Sequence, residues 1–332
     1  MILVVAYHVA QMCFAETEKT SSSLPFLALM RMPLFFFVSG FLSYKASFPW
    51  TASAVGHQLW KKFLIQVLPT LVFFSVFIIV RMKGSFSEHF MELMSHSTKG
   101  GYWFTWVLLQ MYVIYYVVLL SFPRGRAHDV TVAVLWGVAL FAYASLYMPK
   151  VVTCYKDPFF RYSSLLETFR FMHFFLLGNL FHRFWPQVQR LFDSRWLFPL
   201  AVLMAFVCCA EIFRWHTMKF MWTNLPRTLG MYSLLLIVVM TFRHYGEQFS
   251  QSHLAGRVLQ YIGQRTLDIY LLHFILMPKL PEAGKWLDAH QPNFLLDFLC
   301  ALTVAVPVIA ACCLVSHVLR VSPLLKKYLF GR

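Results

Sequence analysis

Ten long apolar segments limit what this chain can fold into more than any other feature of its sequence. The segments are continuous runs and do not alternate with polar residues, which favours membrane-spanning helices over the strands of a barrel. We therefore predict an all-α fold, a polytopic membrane helix bundle of about ten transmembrane helices in a single domain over residues 1–332. The predicted spans are 1–15, 26–44, 63–80, 102–121, 130–148, 168–182, 196–213, 227–242, 264–279 and 294–318.

Composition and charge exclude two further classes of protein. Hydrophobic residues make up 59% of the chain and charged residues 13%, whereas soluble domains carry about 25% charged residues. The net charge is +15, but lysine and arginine are spread over many loops rather than gathered into one basic stripe. We therefore expect the lipid bilayer as a partner and no nucleic acid. By the positive-inside rule, the distribution of lysine and arginine over the loops favours an N-terminus on the cytoplasmic side.

Polar residues inside the predicted spans carry most of the functional information, because ionisable groups in membrane helices are rare and usually face the bundle interior or a wet cavity. These residues are His8, Arg31, Arg170, His173, Asp268 and His273, with Trp103 at the mouth of the fourth span. Each also has a purely structural interpretation, as an interhelical hydrogen bond, a snorkelling anchor, part of an interfacial aromatic belt, or a local pair between Arg265 and Asp268.

Helix rise gives each of these positions a depth. At about 1.5 Å per residue, four of them lie ~9–10 Å inside the outer membrane boundary. They are His8, Arg31, His173 and His273. A common depth on four helices is what a single outer-leaflet site would require.

Residues 31–42, RMPLFFFVSGFL, resemble the second-helix signature of the acyltransferase 3 family of integral membrane O-acyltransferases. The form MPLFFF is most similar to the branch that contains fucose O-acetylases and periplasmic glucan succinyltransferases. Further segments agree with the family in order and spacing. They are ILVVAYH at 2–8, KKFLIQVLP at 61–69, WF at 103–104 and YIGQRTLDIYLLH at 261–273.

The resemblance implies an enzyme, an acyltransferase that transfers groups other than aminoacyl groups. It would move an acetyl or succinyl group from acyl-CoA to a hydroxyl of a cell-surface or periplasmic carbohydrate, in a bacterial inner membrane. Acetyl-CoA or succinyl-CoA would be the donor substrate, with no permanently bound cofactor and no metal. The resemblance also implies that His8 is catalytic.

The chemistry assigns a role to each candidate. Removing a proton from a sugar hydroxyl needs a base that titrates near neutrality, which fits His8, although an acyl-histidine intermediate is equally open. Arg31 or His273 would stabilise the oxyanion formed on the thioester carbonyl. Gly40 and Ser39 are better suited to close helix packing than to nucleophilic catalysis. We expect substrate-binding roles for Trp103, Arg170, His173, Tyr270 and His273.

The cytoplasmic mouth of the third predicted span carries Lys61 and Lys62. These lysines would bind the phosphates of the acyl-CoA donor, although ordinary anchoring at the inner membrane surface explains them equally well.

Two other functions are compatible with polar residues in a helix bundle. The first is a transporter or flippase for a polysaccharide or lipid-linked sugar, but the sequence has no evident inverted repeat. The second is a haem protein ligated by His8, His173 or His273, but no paired histidine pattern supports it. We therefore prefer the acyltransferase.

The first predicted helix is short. An ideal helix over residues 1–15 reaches about 22 Å, less than the ~30 Å hydrocarbon core. The family also places an arginine about three turns before the histidine that matches His8, where this chain has no residues. We therefore expect the native protein to begin upstream of Met1, in an extension that completes this helix.

Overall fold

The computed structural model describes residues 1–18, 20–146, 152–214, 224–323, 325 and 329, with the backbone alone at 209–214 and 224. The described residues form helices and no strand. The helices are α1 Ile2–His8, α2 Leu24–Phe41, α3 Ala52–Lys62, α4 Leu68–Arg81, α5 Phe86–Met94, α6 Phe104–Leu120, α7 Arg126–Ser145, α8 Pro158–Ser163, α9 Leu165–Arg183, α10 Trp185–Phe192, α11 Leu197–Arg214, α12 Asn224–His244, α13 Leu254–Gln264, α14 Thr266–Leu276, α15 Pro281–Asp288 and α16 Phe294–Leu319. Short π-helical turns continue α1 over Val9–Cys13 and join α3 to α4 over Phe63–Val67.

Every predicted span coincides with a helix, so the all-α membrane fold is confirmed. In the described part of the chain, five helices are long and apolar enough to cross a membrane, and the bent pair α10–α11 could form a sixth span. The five are Leu24–Phe41, Ala52–Arg81, Arg126–Ser145, Leu225–His244 and Phe294–Leu319. Shorter apolar helices cover Ile2–Cys13, Phe104–Leu120 and Thr266–Leu276, and α9 covers the predicted span 168–182. Residues 147 and 148 of the predicted span 130–148 lie outside the described residues.

Large apolar side chains remain exposed on the long helices. Phe206 on α11 is 73% exposed, Phe141 on α7 69%, and Leu314 on α16 65%. In water, exposed apolar side chains of this size would drive association with other molecules. In a bilayer they contact lipid tails, which are equally apolar. The exposed surface of these helices therefore suits contact with lipid.

The chain forms two compact units, which we describe separately. The first unit comprises residues 1–32, 69–83 and 241–332, and the second comprises 33–68 and 84–240. The single domain expected over 1–332 stays a prediction.

In the first unit, α16 packs against both α1 and α14. A buried charge cluster fixes the contact between α14 and α16. Asp268 is 2% exposed and accepts hydrogen bonds from Arg320, at 2.8 Å from Nη2 to Oδ1 and 3.0 Å from Nε to Oδ2. Ser316 also donates to this carboxylate, and Arg265 lies 3.7 Å away. The local pair with Arg265 that the sequence predicted is present, but Arg320 is the nearer partner.

Replacing Asp268 by asparagine is expected to destabilise the protein by about 1–3 kcal/mol, because the half-buried Arg320 guanidinium loses its charged partner. The measurement is thermal unfolding of the purified protein in detergent. Glu282→Gln is the matched control. Glu282 pairs with Lys285 at 2.9 Å, and the two residues are three positions apart, as Arg265 and Asp268 are, but both side chains are more than 70% exposed. An exposed pair of this kind contributes about 0–1 kcal/mol. Equal losses in the two variants would contradict a structural role for the Asp268 cluster.

In the second unit, α9 packs against α7, α6 and the second half of α2. The approach to α2 is close enough to require glycine. A Cβ built on Gly40 would lie 1.7 Å from the Phe175 carbonyl oxygen, and one on Gly178 would lie 1.9 Å from the Phe37 carbonyl oxygen. The expected packing role of Gly40 is confirmed, and Gly178 is its counterpart on α9.

Gly178→Ala is expected to cost about 1–3 kcal/mol of stability, because the new methyl group meets backbone that cannot move without separating the two helices. Gly137→Ala on α7 is the control, since a Cβ there meets nothing within 4 Å and alanine favours helix. Thermal unfolding should therefore show a lower midpoint for Gly178→Ala and no loss for Gly137→Ala. An unchanged midpoint for Gly178→Ala would contradict the close packing.

Candidate functional site

Three of the four polar residues expected at one depth lie together in the first unit. Nε2 of His8 on α1 lies 3.2 Å from Nη1 of Arg31 on α2. The His8 ring centroid lies 5.3 Å from that of His273 on α14. The structure brings these three side chains together, while their function as one site stays a prediction.

The helix that carries His8 changes geometry immediately after it. His8 ends the α-helical part of α1, and Val9–Cys13 continue as a π-helical turn, closed by a hydrogen bond from Phe14 N to Val9 O. Single π-turns within helices are rare and occur often at functional sites. The sequence contained no signal for this turn.

The hydrogen bonds around the two histidines specify their protons. Arginine has only donors, so Nε2 of His8 is the acceptor in its contact with Arg31. Nδ1 of His273 lies 2.9 Å from the Ile269 carbonyl oxygen and therefore donates to it. In neutral His273 the other nitrogen, Nε2, then carries a lone pair. It is buried and has no hydrogen-bond partner among the described residues.

Aromatic side chains line this site. The Arg31 guanidinium lies 3.3 Å from the centre of the Tyr7 ring, a cation–π contact. Phe274 lies 4.8 Å from His8, and Tyr270 lies 6.2 Å from His273. Tyr270 was expected at the site from its motif. Tyr7 and Phe274 were missed, although each directly precedes or follows a candidate histidine in the sequence.

The loop that leaves α1 carries a buried carboxyl group, Glu16, which is 4% exposed. Burial and the nearby Asp297 carboxylate raise the pKa of Glu16 to about 8. Asp297 accepts hydrogen bonds from Ser21 Oγ at 2.6 Å and Ser23 N at 2.9 Å. Glu16 is therefore mostly protonated at neutral pH, and this loop is tied to the start of α16.

The second unit contains His173, which is fully buried on α9. Its Nδ1 lies 2.7 Å from the hydroxyl oxygen of Tyr232 on α12, and its ring lies 4.8 Å from that of Tyr143 on α7. Nε2 of His173 has no hydrogen-bond partner among the described residues. Its place in one site with His8 stays a prediction. Tyr232 was missed, because no pattern in the sequence pairs it with a residue 59 positions earlier.

The two other substrate-binding candidates of the second unit lie at aromatic contacts. Trp103 stacks on Phe171 with 5.7 Å between ring centres. Arg170 lies 3.7 Å from Glu167, one turn earlier on α9, and 5.7 Å from the Phe171 ring. Phe171 thus adjoins both candidates, while their contact with substrate stays a prediction.

A buried lysine holds the turn before Trp103. Lys99 Nζ donates to the Tyr162 carbonyl at 2.9 Å and to the Met94 carbonyl at 3.3 Å. Burial lowers the pKa of Lys99 to about 8. No sequence pattern marks Lys99 as buried, because its carbonyl partners are backbone atoms.

The candidate donor-binding lysines differ in exposure. Lys61 is exposed, whereas Lys62 is half-buried with its Nζ 3.4 Å from the centre of the Tyr112 ring on α6. Lys62 is thereby held in one position, while the phosphate-binding role of both lysines stays a prediction. Among the described residues, no three histidine, cysteine, aspartate or glutamate side chains are arranged to hold a metal ion.

Comparison with known proteins gives one match. The family model described as an acyltransferase domain matches residues 1–316, nearly the whole chain. No curated protein and no solved structure matches.

Proposed function

This chain belongs to the acyltransferase 3 family of membrane acyltransferases, which transfer groups other than aminoacyl groups, and we propose that it moves an acetyl or succinyl group from acyl-CoA to a carbohydrate hydroxyl. The observation that carries the proposal is the contact between His8 Nε2 and Arg31 Nη1. It places an imidazole nitrogen that can accept a proton beside a fixed positive charge, the two groups that such a transfer requires. Family membership favours this enzyme over the transporter or flippase.

In the proposed reaction, a sugar hydroxyl takes the place of Arg31 at His8 Nε2. The imidazole removes the hydroxyl proton as the oxygen attacks the thioester carbonyl carbon. The carbon–oxygen ester bond forms, the carbon–sulfur bond breaks, and the proton passes from His8 to the sulfur of the departing CoA. Attack by Nε2 itself, through an acyl-histidine, is the alternative order of the same exchange.

Arg31 is better suited than His273 to stabilise the oxyanion. Its guanidinium keeps its charge and presents five donors. His273 has committed its Nδ1 proton to Ile269, which leaves an acceptor at Nε2. We therefore propose that Arg31 stabilises the oxyanion, while His273 and Tyr270 bind the acceptor hydroxyls.

Further contacts with substrate are proposed for the candidates outside the His8 cluster. Trp103, Arg170 and His173 are proposed to bind the carbohydrate, since aromatic rings stacked beside polar groups suit sugar rings and hydroxyls. Lys61 and Lys62 are proposed to bind the CoA phosphates at the cytoplasmic face. The proposed location is the inner membrane of a bacterium, with a cell-surface or periplasmic acceptor.

Mass spectrometry of surface glycans tests this function. Cells with the active protein should carry glycans heavier by one acetyl or one succinyl group than cells that lack it, and the difference should return when the gene is restored. Cells of the same host that express the His8→Ala variant are the control, since they contain the protein without the proposed base and should lack the mass difference. Identical glycan masses in all cells would contradict a carbohydrate acceptor.

A further inference from the structure

One buried ammonium group lies at the ends of two short helices of the second unit. Lys99 is 5% exposed, and its Nζ donates to the Met94 carbonyl at the end of α5, at 3.3 Å, and to the Tyr162 carbonyl near the end of α8, at 2.9 Å. The carbonyl oxygens of His96 and Arg161 lie at 3.5 Å from the same nitrogen. The last four carbonyl groups of a helix have no partner within it, and a cation is favourable beside them. Lys99 therefore caps α5 and α8 together and joins their ends.

The backbone at this position would suit glycine better than lysine. Lys99 has a φ of 44°, in the left-handed region, and Gly100 and Gly101 follow with φ values of 59° and 103°. Glycine adopts such angles readily, whereas a side chain makes them unfavourable. A residue stays in a strained conformation only where the surrounding structure holds it there. The ammonium supplies contacts that glycine could not make, so they are the physical reason for a lysine at this position.

The corner between α8 and α9, which faces this turn, is held by further hydrogen bonds. Ser164 has a φ of 55°, and its Oγ donates to the Ser97 carbonyl at 2.8 Å. The Ser163 carbonyl accepts from Trp106 Nε1 at 2.9 Å and from Gln110 Nε2 at 2.6 Å. None of these bonds involves the ammonium, so we expect the corner to stay attached to α6 when the ammonium is removed.

The two joined segments lead directly into one aromatic pair. Trp103 lies four positions after Lys99 and directly before α6, and it stacks on Phe171 of α9 with 5.7 Å between ring centres and 27° between ring planes. Helix α9 begins one residue after α8 ends. The angle and position of the Trp103 ring on Phe171 therefore depend on how the two segments are held together. Lys99 is the charged side chain that joins them.

We propose that Lys99 is a positioning residue for the carbohydrate acceptor, which caps α5 and α8 together and so holds Trp103 against Phe171 in the arrangement that receives a sugar ring. This inference rests on the carbohydrate-binding role proposed above for Trp103. Lys99 is buried and its Nζ is surrounded by carbonyl oxygens of the backbone. It therefore acts through Trp103 and touches no substrate.

Fluorine NMR of the ligand-free protein tests the positioning without any assay of activity. Protein that carries fluorotryptophan is compared with Trp103→Phe, whose missing signal identifies Trp103. The Trp103 signal should shift in Lys99→Met, which keeps a side chain of similar length without the donors, and in Lys99→Gly, which also removes the backbone strain and so protects folding. Lys156→Met is the matched control, since Lys156 is an exposed lysine of the same unit shortly before α8, and it should leave the signal in place. A Trp103 signal that is unchanged in both Lys99 variants would overturn the inference.

Kinetics then test the role in acceptor binding, with acetyl-CoA and succinyl-CoA as donors and host surface glycan as acceptor. Both Lys99 variants should raise the KM for glycan by about 10-fold, the effect of one lost hydrogen bond from a charged donor, while kcat and the KM for acyl-CoA stay within about twofold. A lysine with only a structural role would lower the midpoint of thermal unfolding without this selective change in KM. Lys156→Met should match the wild type.

The kinetic outcomes separate this inference from the proposed function. If Trp103→Ala raises the KM for glycan and the Lys99 variants do not, the positioning role is overturned and the proposed carbohydrate contact of Trp103 survives. If neither Trp103→Ala nor the Lys99 variants change this KM, the proposed contact is overturned and the positioning role with it. A wild-type protein that acylates no glycan would overturn the proposed acceptor, and both roles would fall together.

Discussion

His8→Ala is expected to lower acyl transfer to carbohydrate by about 10²–10⁴-fold, the contribution of a positioned general base, while the protein still inserts into the membrane. The loss follows from the position of His8 beside Arg31 and His273. Alanine removes the base without adding charge to the bilayer and keeps the helix propensity of α1.

The measurement is acylated glycan formed per amount of membrane-inserted protein. His290→Ala is the matched control, because His290 is an exposed histidine of the same unit, just after α15, whose Nδ1 lies 2.7 Å from the Trp286 carbonyl oxygen. The control should retain full activity. Wild-type activity in His8→Ala would remove His8 from the mechanism.

Arg31→Gln is expected to lower kcat by about 10²–10³-fold, the cost of losing one preorganised group that stabilises an oxyanion. The change keeps a hydrogen-bond donor but removes the charge and the planar guanidinium above Tyr7. Arg31→Lys should also lose activity, since an ammonium is a point charge and cannot present the planar fork of donors that a guanidinium offers to an oxyanion.

The diagnostic feature is a fall in kcat with little change in the KM for acyl-CoA, because the interaction belongs to the transition state. Arg257→Gln on α13 is the control, since Arg257 is exposed in the same unit. A fully active Arg31→Gln would instead make Arg31 a membrane anchor.

The helices, and three polar side chains that lie together, could be predicted from the sequence for clear physical reasons. A membrane helix requires a long apolar run, and such runs can be recognised in a sequence. Helix rise is nearly constant, so counting residues gave His8, Arg31 and His273 a common depth, and the structure places them in contact. A residue count fixes how deep a side chain lies but not the direction in which it points around the helix axis. The sequence therefore could not show which side chains at that depth face one another.

The features that were missed depend on tertiary contacts or on backbone detail. Arg320 reaches Asp268 across 52 positions of the chain, and no pattern in the sequence pairs them. The π-turn over Val9–Cys13, directly after His8, is a detail of the backbone that no residue pattern marks. The third predicted span also proved longer than its apolar run, since the amphipathic α3 continues through a π-turn into α4.

We propose that His8 drives the transfer of one acyl group from CoA to a carbohydrate hydroxyl in each turnover. The most direct measurement incubates purified wild-type protein with acetyl-CoA, or with succinyl-CoA, and host surface carbohydrate, and follows thiol release and carbohydrate mass in the same tube. We expect one CoA thiol for each acyl group found on carbohydrate, with neither product formed by His8→Ala. Thiol release without acylated carbohydrate, or equal acylation by His8→Ala, would contradict it.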